Sequence, residues 1–127
     1  MNVSLRRLAP LLLLSVSVAY VHINGITRGW YWEYPWLDTP MHFLGGVIVG
    51  LLVLWGSERL WGARLSFATV VLGVFFVGIC WEVFEYSLGL IEASREVYLK
   101  DTATDLIFDM LGGSVAALSR LRHGAVK

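Results

Sequence analysis

Three stretches of this chain run for most of a bilayer thickness without a formal charge: Leu8–Thr27 (20 residues), Thr39–Ser57 (19) and Leu65–Trp81 (17). About 20 apolar residues cross a hydrocarbon core, and lipid offers the backbone no hydrogen-bond partner. Each run must therefore close its own backbone hydrogen bonds as a helix. The composition agrees, at 57% hydrophobic and 16% charged residues, with a mean hydropathy of +0.65. That is too apolar for an ordinary soluble domain, and the run lengths disfavour a small soluble bundle. A fourth run, near Leu106–Leu118, is weaker, because only Met110–Ser119 is free of charge. It reaches spanning length only if Asp105 and Asp109 enter the membrane.

The expectation is an all-α membrane protein, a compact bundle of four transmembrane helices. It forms a single domain over residues 1–127, with spans near 8–27, 39–57, 66–90 and 104–120. Charge orients the spans. With both termini cytoplasmic, the inner segments carry Arg6, Arg7, Arg59, Arg64, Arg120, Arg122 and Lys127, seven of the ten basic residues. Arg28, Arg95 and Lys100 remain outside, as the positive-inside rule expects. Of the acids only Glu58 lies inside, so a net charge of zero conceals a polarised molecule.

The start, MNVSLRRLAPLLLLSVSVAYV, also fits a secretory signal, with a basic head, an apolar centre and a small-residue cut after Ala19. The uncharged run continues well past that point, which favours an uncleaved first helix. One cysteine, Cys80, rules out an intramolecular disulfide framework. Nothing supports nucleic-acid binding, and GGVIVG at Gly45–Gly50 lacks the strand-to-helix setting of a nucleotide loop. GWYWEYPW, Gly29–Trp36, gathers aromatics that favour the headgroup layer, so this first outer loop is expected on the membrane surface.

The chemistry lies in the polar residues that enter the spans. Residues four apart in a helix share a face. Asp38, His42, Gly46 and Gly50 form one stripe. Gly78, Glu82, Glu85 and Gly89 form another, and Asp101, Asp105, Asp109, Gly112 and Ala116 a third. Small residues let membrane helices approach closely, so the three stripes should face one another. Six carboxylates and His42 would then share one cavity in the outer half of the bundle. Six clustered negative charges cannot all stay ionised in a low dielectric. Protonation, basic partners such as Arg95 or Lys100, or a bound cation must relieve them. Carboxylates plus one imidazole suit Mg²⁺, Mn²⁺, Fe²⁺ or Zn²⁺, the oxygen excess favouring harder ions.

Each residue also has a plainer reading. Asp38 or Thr39 could cap a helix that starts at Pro40, and Asp101 or Thr102 could cap the last one. His42 could hydrogen-bond a neighbouring helix, and Glu82 and Glu85 could pair with arginines. Capping cannot explain Asp105 and Asp109, which lie one and two turns further in. Ionisable residues at such depth point to function.

DTPMHFLGG, WEVFEY and VYLKDTATDLIFDMLGG resemble the YjdF-type small bacterial membrane proteins and, more distantly, the VanZ-like family. The likeness runs from Asp38 to Gly113, and Asp38, His42, Glu82, Glu85, Asp101, Asp105 and Asp109 fall on the family's polar positions. It implies four helices in the bacterial cell envelope and no settled reaction. The VanZ-like pattern favours amides at some positions where Glu85 and Asp109 are acidic.

Three readings follow. The first is a membrane enzyme, metal held by Asp38, His42, Glu82, Glu85, Asp101, Asp105 and Asp109, with His42, Glu82 and Asp105 catalytic. It would act on a lipid-linked or phosphorylated envelope substrate. The second is a cation or proton carrier, and the third an accessory protein whose acids sit in salt bridges. No serine or cysteine nucleophile motif is visible. No acid marks the inner half of the spans, which counts against transport. Reporter fusions test the topology: a fusion at Gly62 should report cytoplasm and one at Ser94 the outside. An external signal at Gly62 would place the acids on the wrong side.

Overall fold

A computed structural model describes residues 3–89 and 95–124 of the backbone, with side chains described over 8–89 and 96–119. Every described element is helical. The long helices are α1 (Val3–Thr27), α3 (Asp38–Trp61), α4 (Phe67–Ser87) and α5 (Arg95–Gly124), with a one-turn α2 (Trp30–Glu33) between the first pair. Three stretches within them have the length and hydropathy of membrane spans: Leu8–Thr27, Pro35–Trp61 and Phe67–Ser87. α5 fails that test because it carries acids along its buried face. It is nonetheless a 30-residue helix, long enough to cross at about 1.5 Å per residue.

The helix ends correct two expectations about capping. A 3₁₀ turn, Pro35–Leu37, runs straight into α3, whose N-cap is Leu37 with no side-chain cap. Thr39 is therefore not the cap. Pro40 sits inside the first turn, where its missing N–H removes no helical hydrogen bond. Likewise α5 begins at Arg95, so Asp101 and Thr102 lie more than a turn inside it and cap nothing. Their carboxyl and hydroxyl groups are left for other partners. Gly89, expected on the α4 stripe, lies beyond the end of that helix at φ 66°.

The inner connection is short and well tied. Gly62 adopts φ 61° after α3, Ala63 N–H donates to Ser57 O at 3.2 Å, and Ser66 accepts from Thr69 N–H at 3.1 Å to cap α4. Left-handed glycine and a serine N-cap are the usual chemistry for ending one helix and starting another. They set α3 and α4 antiparallel.

α3 and α5 form the central pair, α4 packs across both, and α1 leans on α3 from outside. Leu54, Val70 and Ala117 make the apolar core at the inner end. Outward positions such as Leu13, Leu72, Phe76 and Val83 are exposed apolar side chains, as a lipid-facing surface requires. At the centre the helices touch backbone to backbone. A Cβ at Gly46 would collide with Asp109 O, and one at Gly112 with Phe43 O. Van der Waals contact at small residues drives such association in lipid.

Gly46 and Gly45 therefore predict opposite outcomes. Gly46→Ala should destabilise the protein by about 1–3 kcal/mol through overpacking. Gly45→Ala, whose Cβ would meet nothing within 4 Å, should be neutral or stabilising by up to about 1 kcal/mol. Thermal unfolding of both variants in detergent checks the sign difference.

Candidate metal centre around His42

The α3–α5 contact places the polar residues. One turn outward from Gly46 is His42, and three residues outward from Gly112 is Asp109. Glycine also clears space on α4, since a Cβ at Gly78 would come within 2.5 Å of Asp109 Oδ2. His42, Glu82, Asp105 and Asp109 are all buried, at 7%, 4%, 4% and 7% exposure. Asp38 and Glu85 are half-buried beside them, and Asp101 is exposed at the rim.

His42 is the hub, and its two ring nitrogens face different partners. Nδ1 lies 3.4 Å from Asp109 Oδ1. Nε2 faces Asp38 Oδ1 at 3.7 Å, Asp105 Oδ1 at 3.9 Å and Glu82 Oε1 at 4.0 Å. The three Nε2 separations exceed hydrogen-bond length. They resemble the spacing of ligand atoms around a shared ion, about 3–4 Å apart for bonds of 2.0–2.2 Å. A carboxylate on the other nitrogen is the usual device for fixing the tautomer of a metal-binding histidine. Two groups have ligand atoms within 4.8 Å of one another: Asp38, His42 and Asp105, and His42, Glu82 and Glu85.

Glu82 is the most telling member. Thr102 Oγ1 donates to its Oε2 at 2.7 Å. Its Oε1 is buried with no hydrogen-bond partner, and it is the oxygen turned toward His42. An unsatisfied buried carboxylate oxygen costs several kcal/mol unless something else meets it. Among the described residues no lysine or arginine pairs with the cluster; Lys100 reaches Glu96 instead, at 2.9 Å. The side chain of Arg95, the other basic candidate, lies outside the described residues.

Five of the seven expected ligands thus meet in two overlapping groups. Asp109 stands on the far side of the imidazole, and Asp101 lines a second cavity, a vestibule beside the cluster, with Pro35, Asp38, Lys100, Thr104 and Asp105. Three further residues join the site that the polar stripes did not announce. Thr102 holds Glu82. His22, on α1, accepts or donates at Nδ1 to Tyr31 Oη at 2.8 Å, and its ring meets Trp81 edge-on at 5.2 Å. Burial, and then the Asp38 and Glu85 carboxylates, push the Tyr31 phenol above its ordinary range. Tyr31 consequently keeps its proton, and the His22 tautomer sets which of the two donates. The ring fits because position 25 is glycine, where a Cβ would come within 2.6 Å of it. A lone imidazole in an otherwise uncharged span was the available signal for His22.

Over residues 1–125 the chain matches the family model described as Predicted membrane protein (DUF2238). The chain belongs to this family. A Thermotoga maritima protein named "Uncharacterized protein" is 33% identical over 110 residues, which cover 80% of this chain and 56% of that one. This DUF2238 chain therefore spans little more than half the length of that relative. No solved structure matches it.

The Thr102–Glu82 bond gives this DUF2238 protein a direct test. Thr102→Val leaves both oxygens of a buried carboxylate unpaired and should cost about 1–3 kcal/mol. Thr102→Ser keeps the hydroxyl and should recover most of that loss in thermal unfolding.

Proposed function

We propose that this protein is a divalent-cation-dependent membrane enzyme acting on a lipid-linked or phosphorylated substrate. The reading includes a place in the bacterial cytoplasmic membrane with the site toward the outer face, and a kinship with YjdF-type and VanZ-like envelope proteins. The observation that carries it is the unpartnered Glu82 Oε1, buried and converging with Asp38 and Asp105 on His42 Nε2.

Asp38, His42, Glu82 and Asp105 would ligate the ion, with Glu85 in reach. Mg²⁺ and Mn²⁺ suit the carboxylate excess, and Zn²⁺ suits the smaller His-and-carboxylate sets. Asp109 would hold His42 in the tautomer that leaves Nε2 free. With His42 so engaged, a carboxylate at the cluster's edge is better placed to move protons. Such an ion polarises a phosphoryl oxygen or lowers the pKa of bound water. Water reaches the site through the vestibule beside Asp38 and Asp105.

An accessory protein with the same acids in salt bridges would need basic partners, and among the described residues the cluster has only His42. A metal-free cluster would be relieved by losing charge. The two cases give opposite signs. Thermal unfolding in detergent, with chelator and with added Mg²⁺, Mn²⁺ or Zn²⁺, should show wild type stabilised by metal. The gain is about 2.7 kcal/mol at a hundredfold excess over Kd. Asp105→Asn and Glu82→Gln should each abolish that gain, since amides are poorer ligands for a hard cation. No metal dependence in wild type, with both amides melting higher, would remove the enzyme reading.

A further inference from the structure

A trough of about 350 Å³ runs along the side of the bundle and meets the vestibule at Asp38. α3 forms its floor with Met41, Gly45, Ile48 and Val49. α1 forms one wall with Val18, Ala19 and Ile23, and α4 the other with Val74, Val77 and Trp81. These walls are apolar, yet one end of the trough is lined by His22, Asp38 and His42. The edge contact between His22 and Trp81, at 5.2 Å, ties α1 to α4 at that same end.

The trough lies within spans that cross the membrane, so its apolar length is bathed by hydrocarbon rather than water. Its extent can be read from the helices. Asp38 to Val49 on α3 and Val74 to Trp81 on α4 correspond to about 10–16 Å at 1.5 Å per residue. One leaflet of a bilayer core is about 15 Å deep. A chain lying in the trough from the inner end would therefore present its polar head at Asp38 and His42, level with the outer interface. Gly45 keeps the floor open, because a Cβ there would meet nothing within 4 Å.

The polar end selects the head. Asp38, Glu82 and Asp105 converge there on a single imidazole, which calls for more positive charge than one ammonium group carries. A divalent ion supplies it, and an ion held by a few carboxylates completes its shell with phosphate oxygens.

We propose that the trough between α1, α3 and α4 binds the hydrocarbon chain of a lipid phosphate monoester, which enters sideways from the bilayer and sets its phosphate against the His42 cluster. This rests on the cation-dependent reading above and names the substrate class for that site. The trough fixes the tail, and the Asp38–His42 end fixes the head beside the vestibule that admits water.

The test uses the full chain in phosphatidylcholine vesicles doped with Mn²⁺. The probes are phosphatidic acid, phosphatidylcholine and a long-chain alkylamine, each with a photoreactive diazirine in its chain. Cross-linked peptides are then mapped by mass spectrometry. Phosphatidic acid should label Val18, Ile48 or Val77 at least tenfold above phosphatidylcholine. Gly45→Phe, which fills the trough, should remove that label. Gly56→Phe, at an equally open glycine outside the trough, should retain it. Thermal unfolding confirms that both variants fold, and Gly45→Leu provides a smaller block should Gly45→Phe melt early. Equal labelling by phosphatidylcholine, preference for the amine, or a label that survives Gly45→Phe would overturn the trough assignment. Chelation separates the two proposals. A phosphatidic acid label that persists in chelator sinks the metal reading and leaves the trough standing. Metal-dependent stabilisation that persists in Gly45→Phe while the label is unchanged does the reverse.

Discussion

Two helix backbones in direct contact organise everything else in this molecule. Lipid tails are as apolar as leucine, so membrane helices gain little by burying apolar side chains against each other. Close packing must supply the association, and here it does so where Gly46 on α3 meets the backbone of α5 at Asp109 and Gly112. The contact lies near the middle of both helices and fixes their register. Moving outward along each, the polar side chains are His42 and Asp109, then Asp38 and Asp105. The polar cluster is thus a consequence of which glycines touch. Gly78 on α4 extends the same logic to a third helix by leaving room for the Asp109 carboxylate.

That register brings together groups that repel. Like charges a few ångströms apart interact by several kcal/mol even at an effective dielectric of about 20. Among the described residues the fold sets only one imidazole against them. A cluster this concentrated is stable only if its charges are neutralised or matched by a cation, and protonation alone would still leave Glu82 Oε1 without a partner. The carboxylates also differ in their surroundings. Asp109 is engaged on the back of the imidazole, Glu82 is held by Thr102, and Asp38 is half exposed to the vestibule. One is positioned to orient, one is rigidly aimed, and one stays accessible. A purely structural knot of acids has no need of such a division.

Run length in the sequence already pointed to the membrane, and the four-residue spacing of Asp38/His42 and Asp105/Asp109 to a polar cluster between helices. Both are periodic signals that survive without any partner helix in view. Helix starts were less legible. Asp38-Thr39-Pro40 carries every mark of a cap, yet the preceding Pro35–Leu37 turn already winds the chain, so α3 starts earlier and needs none. Asp101-Thr102 repeats the pattern inside a helix that had begun at Arg95. Capping preference is local, and continuity from the preceding turn overrode it in both places. The same local reading took Thr102 for a cap and missed its bond to a glutamate twenty residues away on another helix. α1 carried no periodic polar stripe, so the one trace of His22 was a lone imidazole in an uncharged span, which does not say where it points.

The placement of Asp38 and His42 between two different media decides what chemistry the site suits. The vestibule on one side is lined by charged and polar side chains such as Lys100, Asp101 and Thr104, while the trough on the other is lined by aliphatic side chains within the apolar helices. Asp38 belongs to both. A soluble metabolite would have no use for the apolar trough, and a wholly apolar lipid none for the carboxylates. At the end of the bundle near the α3–α4 connection, Leu54, Val70 and Ala117 instead form an apolar cluster. Under the proposed reading, an amphiphile would fit both surfaces at once, its tail along the apolar trough and its head against the His42 cluster. The backbone contact at Gly46 and Gly112 closes the α3–α5 interface directly beside the cluster. The same glycine contact that gathers the acids therefore also leaves no gap between the two helices beneath them.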